Sequence, residues 1–218
     1  MKTANIEVTY INHCGDDLSV VNAARVSFHK VSSEMTSGDE KLINYLAKHK
    51  HFSPFNHAFL SFRVKAPIFV ARQLVKHRFM PWNEVSRRYV DDEPEFFFPE
   101  KWRKKAANVK QGSSDESYEM FWDKDHLEES IQSLLNLYGQ FTNNGMAPEQ
   151  ARMILPQNMM TEWIWSGTLG AFCDMLRLRL DPHTQYESQI VAKKVYDEVV
   201  KLFPVSVGAL LDGVVPST

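Results

Sequence analysis

A nine-residue run from Ala58 to Ala66 alternates so regularly that it fixes one element of the fold before any other. Leu60, Phe62 and Val64 fall on one side, and Ser61, Arg63 and Lys65 on the other. That period of two marks a strand with one buried face. Pro67 closes the run and suits the first turn of a helix, where its missing N–H would be unpaired in any case. A helix from Pro67 to about His77 puts Gln73, Lys76 and His77 on one face. Pro81 stops that helix, and Asn83 to Tyr89 is expected to return beside it as a polar loop.

The segment after the strand carries the most unusual chemistry in the chain. Between Val70 and Val90, Arg72, Lys76, His77, Arg78, Arg87 and Arg88 surround a single acid, Glu84, with Gln73, Asn83, Ser86 and Tyr89 between them. Arginine forks suit bidentate contacts to phosphate, while amides and hydroxyls suit a base edge, so the cluster fits an anionic, planar ligand. Charge alone also fits a plainer reading, a solvated helix end whose cations are favoured by the helix dipole.

The other elements follow from periodicity and punctuation. Ile6, Val8 and Tyr10 open the chain as a strand, and Asp16 or Asp17 caps a short helix through Ala24. Asp39 is expected to cap a second helix with Leu42, Ile43, Leu46 and Ala47 on its apolar face. Glu95 to Pro99, with three consecutive Phe, is too apolar for a free loop. Arg103 to Ser117 reads as a mobile, charged surface loop. Asp125 to Phe141 is an amphipathic helix ended by Asn143-Asn144-Gly145, Pro148 starts a short helix closed by Pro156, and Met159 to Ser166 has strand composition. Leu169, Phe172, Cys173, Leu176 and Leu180 line a helix stopped by Pro182, and a last helix spans about Thr184 to Phe203. The sum is an α+β fold, mostly helical, with a small mixed sheet, in a single domain over residues 1–218. It has no regular strand–helix alternation and no glycine-rich phosphate loop, so it is unlike a Rossmann fold.

A hydrophobic content of 44% is enough for a substantial core, and a formal charge of −2 argues against a dedicated nucleic-acid binder. No signal sequence opens the chain and no run approaches the ~20 apolar residues of a membrane span, so the expectation is a soluble, cytoplasmic protein. Cys14 and Cys173 fall in no metal or redox spacing and read as reduced core thiols. His49, His51 and His57 raise a metal site, but no tetrahedral set with acids or Cys accompanies them, and none is expected. Ser86 could be a nucleophile, although a ligand-binding hydroxyl suits its surroundings better.

The order K-H-R-x7-S at Lys76 to Ser86, continuing through Arg88-Tyr89, resembles the R-H-R-x7-S signature of the flavin-dependent thymidylate synthases. Lys76 replaces the first Arg, and Pro81 stands where Ser is frequent. The resemblance extends to Ser53-Pro54-Phe55-Asn56-His57, to Val64 through Gln73, to Ala151-Arg152-Met153-Ile154-Leu155-Pro156, and to Leu178 through Glu187, which is similar to L-R-x-D/S-x-H-x-Q-x-E. It implies reductive methylation of dUMP to dTMP without a cysteine nucleophile. Methylenetetrahydrofolate would give the carbon, and FAD reduced by NADPH the hydride. It implies dUMP contacts at Gln73, Lys76, Glu84, Ser86, Arg87, Arg88, Arg152 and Arg179, with Arg179 activating the uracil and His51 near the flavin ring. Flavin contacts are implied at Ser53, Lys76, His77, Arg78, Glu84 and His183. Lys76 keeps the charge of the family Arg but loses its planar fork. Thr168, Gly170 and Asp174 depart from an Asn-x-Arg and a later Asn that many members have, so those flavin contacts are not carried over. The family also implies a homotetramer with active sites at subunit interfaces, for which Phe96 to Phe98 and Trp163 to Trp165 could supply apolar surface. The rival reading is a nucleotide- or RNA-binding module with Trp82 and Tyr89 as stacking platforms.

Overall fold

The computed structural model describes residues 1–90, 92–107, 112–120 and 123–214. Its centre is the predicted strand, β3 (Phe59–Pro67), which pairs on one side with β2 (Glu7–Cys14) and on the other with β6 (Met160–Thr168). A three-residue strand, β4 (Trp82–Glu84), completes a sheet of order β2-β3-β6-β4. Every pairing in it is antiparallel. Among the described residues, parallel pairing occurs only in a separate two-residue ladder between β1 (Lys2–Thr3) and β5 (Glu95–Phe96). The expected mixture of strand directions is therefore divided between two sheets.

Alternation places Phe62 opposite Trp165 and Val64 opposite Trp163 on the inner face, with Leu60 on the same face opposite Gly167, and these five large side chains are all buried. Burying one face of a sheet requires a covering layer. It comes from α1 (Asp17–Arg25), α2 (Ser37–Lys48), α6 (Leu169–Arg179), α7 (Tyr186–Leu202) and α8 (Pro204–Leu210), whose apolar residues join the same core. A second, smaller core forms where α4 (Asp123–Asn143) packs on α5 (Pro148–Ala151), gathering Ile131, Tyr138, Ala151 and Leu155 around Phe96. Trp163, Trp165, Phe96 and Phe97 are consumed by these cores rather than left exposed for a partner, as the sequence reading had them. The apolar side chains left outside are others, among them Phe28, Val31, Phe79 and Met153.

Three local differences from expectation have physical causes. The helix after β3, α3, runs only from Ile68 to Leu74, with Pro67 as its N-cap rather than its first residue. The chain must reverse within Val75–Pro81 so that β4 can pair with β6, and it does so through a left-handed Phe79 at φ 61°. Asn83 and Glu84 thus sit on a strand, and the polar loop begins only after them. Thr36, not Asp39, caps α2; Asp39 is the third helical residue of a capping box, is 1% exposed, and accepts from Arg25 Nη2 at 2.5 Å. The terminal α8 was not foreseen, because Pro204 reads as a stop. Its first turn instead starts there, with Asp17 accepting from the backbone N–H of Val205 and Ser206, both at 2.9 Å.

Candidate active site

The turn after α3, the end of α6 and the start of α7 converge on a cavity of about 540 Å³. Gln73 reaches it from the last turn of α3, Lys76 from the turn beyond, and Arg179 from the final residue of α6. The stripe that buries Leu169, Phe172, Cys173 and Leu176 fixes the backbone of α6, so Arg179 is delivered from a rigid element. Its Nε donates to His77 Nε2 at 3.0 Å and its Nη2 to the Gln73 carbonyl at 3.4 Å. Burial lowers the Arg179 pKa from its ordinary value, and a guanidinium starts so high that it keeps its charge in proteins. Burial and the neighbouring guanidinium together hold His77 down at about 4. His77 is therefore neutral at pH 7 and free to act as the acceptor that orients Arg179.

Behind Gln73 lies a hydrogen-bonded chain. Gln73 Nε2 donates to Gln185 Oε1, Gln185 Nε2 donates to Glu187 Oε2 at 3.1 Å, and Arg103 Nη2 donates to Glu187 Oε1 at 2.5 Å. Ser188 Oγ donates to Gln73 Oε1 at 3.2 Å. Glu187 is 5% exposed, and Arg103, Gln185 and Glu187 all line the cavity. The expected mobile loop is thus anchored at its described ends. Arg103 bridges to Ser117, donates through Nε to Ser113 at 2.6 Å, and stacks on the Tyr186 ring at 4.6 Å. Gly112, at φ 84°, lies so close to the His183 carbonyl that a Cβ would come within 2.5 Å of it. The middle of that loop, 108–111, lies outside the described residues.

The remaining expected nucleotide contacts lie elsewhere. Glu84, Arg87 and Arg152 line a different cleft of about 650 Å³. Glu84 is set by Trp82 Nε1 at 3.0 Å and Thr161 Oγ1 at 2.6 Å, while Arg87 pairs with Asp92 at 3.4 Å. Ser86 and Arg88 lie on the turn after β4, where Arg88 Nε donates to Ser86 Oγ at 3.2 Å. One chain therefore splits the expected dUMP set into Gln73, Lys76 and Arg179 on one cavity and Glu84, Arg87 and Arg152 on another.

Lys76, His77 and Arg78 also border a third cavity, of about 740 Å³, walled by Phe52, Phe79 and Leu178 and by the start of α6. There Thr168 Oγ1 accepts from the Ala171 N–H and donates to Asn56 Oδ1 at 2.8 Å. Gly170 lets Asn56 in, since a Cβ would lie 2.6 Å from that oxygen. Desolvation raises the Asp174 carboxyl above its ordinary range. Cations beside an apolar slot suit a ligand with a phosphate end and a flat ring, so the residues fit a flavin. His51 and Ser53 are exposed nearby in sequence but do not line this cavity, and the exposed His183 bonds Asp181 at 3.0 Å.

Burial pushes the Cys173 thiol up, as expected of a core thiol, but Cys14 is exposed at the end of β2, where alternation runs out at the sheet edge. Among the described residues, no group of three or more His, Cys, Asp or Glu could hold a metal ion, and no helix is long and apolar enough to cross a membrane. Trp82 stacks on Trp163 at 4.2 Å and is not a free platform for a base. Gln185 and Glu187 were legible as motif positions without a role, and Arg103 gave no signal beyond its charge.

Two cation-bearing cavities that share Lys76, one with an anchored guanidinium and an amide, define a protein built for anionic, planar ligands. The family model described as thymidylate synthase complementing protein matches residues 9–205, and the chain belongs to this flavin-dependent thymidylate synthase family. Similar proteins named flavin-dependent thymidylate synthase include one from Kosmotoga olearia, 39% identical over 91% of this chain and 86% of that protein. Another, from Thermus thermophilus, is 37% identical over 94% of this chain and 77% of that protein. Among solved structures, a UMP/dUMP methylase from Streptomyces cacaoi, bound with 5-bromo-dUMP, superposes with a TM-score of 0.87 at 28% identity, covering 100% of both chains.

Proposed function

We propose that this protein is a flavin-dependent thymidylate synthase that methylates dUMP to dTMP in the cytoplasm, with no nucleic-acid or membrane partner. The observation that carries the reading is Arg179, a partly buried guanidinium anchored through neutral His77 into the cavity shared with Gln73 and Lys76. A fixed cation beside a uracil ring stabilises the negative charge that develops when carbon 5 becomes nucleophilic, and it does so without reorganisation. Gln73 supplies a base-edge contact, and Lys76 meets the nucleotide or the cofactor at the junction of the two cavities. Bound FAD, reduced by NADPH, would supply the hydride, and methylenetetrahydrofolate the carbon. Lys76, His77 and Arg78 would hold the flavin with help from Ser53, Glu84 and His183, and His51 would stand near its ring. This cradle differs from a glycine-rich strand-to-helix loop, and no cysteine is needed as nucleophile.

We further infer a single-domain protomer assembled as a homotetramer whose sites are shared between copies. Two observations support it: Glu84, Ser86, Arg87, Arg88 and Arg152 lie away from the Arg179 cavity, and Phe28, Val31, Phe79 and Met153 are exposed. A partner would bring the second phosphate-binding group to the first. The test is product analysis with purified, flavin-loaded protein, dUMP, methylenetetrahydrofolate and NADPH. Formation of dTMP is expected; its absence from a folded, yellow preparation overturns the reading. UMP is assayed in parallel, since the Streptomyces cacaoi protein is described as a UMP/dUMP methylase.

A further inference from the structure

The chain of amides behind the 540 Å³ cavity has a direction, and Glu187 sets it. A carboxylate held by a guanidinium can only accept hydrogen bonds. Arg103 occupies Oε1 of Glu187, so the Oε2 partner, Gln185, must present its NH2. The other end of that amide is then its oxygen, which faces Gln73. Gln73 must in turn present its own NH2 to Gln185. Its oxygen is left for Ser188, which is fully buried in α7 and whose hydroxyl can donate. Each step follows from the one before, because a side-chain amide has one donor end and one acceptor end. Reversing Gln73 would set two NH2 groups, or two oxygens, against each other somewhere along the line.

From this we propose that the Arg103–Glu187–Gln185 relay locks Gln73 as a hydrogen-bond donor to the ligand, and so selects a pyrimidine bearing a carbonyl at carbon 4 over one bearing an amino group. Gln73 Nε2 has two N–H groups, and Gln185 takes one; the second is available to a ligand in the cavity that Gln73 lines. A uracil oxygen accepts that proton. A cytosine amino group meets it donor to donor, with a desolvated N–H left unsatisfied on each side. Arg103, Gln185 and Glu187 are then positioning residues for base choice. The inference rests on the proposed uracil-nucleotide function and deepens it.

The test measures equilibrium binding of dUMP and of dCMP to the flavin-loaded protein, in the parent, in Glu187→Gln and in Gln185→Ala. The parent is expected to favour dUMP by about tenfold or more, the scale of replacing one hydrogen bond by two opposed donors. Glu187→Gln keeps its amide oxygen on Arg103 and so turns its NH2 toward Gln185, and the polarity of the relay is reversed. The preference should fall to within about threefold, with dCMP gaining affinity as dUMP loses it. Gln185→Ala guards against failure of the first variant to fold. It leaves Gln73 held only by a hydroxyl that can donate or accept, and the same collapse of preference is expected. A general loss of structure would weaken both nucleotides together and leave their ratio unchanged. A folded variant that keeps the parental ratio overturns the relay while leaving the proposed function standing. A parent that binds both nucleotides equally also overturns it, and a parent that binds neither overturns the proposed function with it.

Discussion

The sharpest electrostatic consequence concerns His77. Its ring accepts from Arg179 Nε at 3.0 Å and can do so only while Nε2 is unprotonated. Burial first, and the Arg179 charge second, bring it from 6.5 to about 4. A base whose folded pKa is depressed binds fewer protons than the unfolded chain across that interval. Its contribution to stability is therefore complete above about pH 6.5, declines as pH falls, and is lost below about pH 4. A fully desolvated ring would contribute about 3 kcal/mol over such a gap. His77 is only partly buried, and solvent screening reduces this to about 1–2 kcal/mol. The comparison variant is His77→Gln, whose amide oxygen can accept from Arg179 but does not titrate. Urea denaturation at fixed protein concentration, at pH 7.5 and pH 4.5, should show the parent losing about 1–2 kcal/mol more than the variant. Equal losses would mean that His77 is not held neutral by its surroundings, and the account of how Arg179 is oriented would fail with it.

Four further outcomes are expected. Arg179→Ala should slow methylation about 100-fold or more while NADPH-driven flavin reduction changes far less, measured as two rates on one folded protein. Lys76→Arg should bind FAD as tightly as the parent or up to about fivefold tighter, read by flavin titration, because a planar fork adds at most one charge-assisted hydrogen bond. Cys14→Ser combined with Cys173→Ala should keep most dTMP formation per folded, flavin-loaded site. Arg152→Ala and Arg179→Ala, each strongly impaired alone, should regain activity when unfolded and refolded together, in about a quarter of sites at equal mixing if each site draws the two arginines from different copies; no recovery above the separate variants would place both arginines in the same chain's site.

What the sequence made legible was what local patterning controls. The strand at 58–66, the apolar stripe of α6 and the amphipathic α4 are each written in the spacing of a few side chains. Pro67 and Asp39 were misassigned within their caps because a cap is decided by the neighbouring backbone, not by residue type alone. The early end of α3 could not be read, because it depends on β4 finding an edge of β6 some 80 residues on. Arg179 beside His77, and Arg103 beside Glu187, are likewise long-range meetings, separated by 102 and 84 positions. Motif resemblance named several of these residues, but only the fold says which of them share a cavity.

The corner where the chain departs from the family pattern is consistent within itself. Thr168 caps α6 and gives its proton to Asn56, and Gly170 supplies the space that Asn56 occupies. Losing the Thr168 hydroxyl alone would uncap the helix, and a side chain at 170 alone would overlap Asn56 at 2.6 Å. With its backbone secured in this way, the start of α6 can offer a different group to the 740 Å³ cavity without any change of fold. That group is Asp174, whose carboxyl desolvation raises above its ordinary range. A carboxylate only accepts hydrogen bonds, whereas an amide at the same place would also donate. The departure therefore alters what this corner presents to a cofactor, while the cations of Lys76 and Arg78 across the cavity keep its anion-binding character.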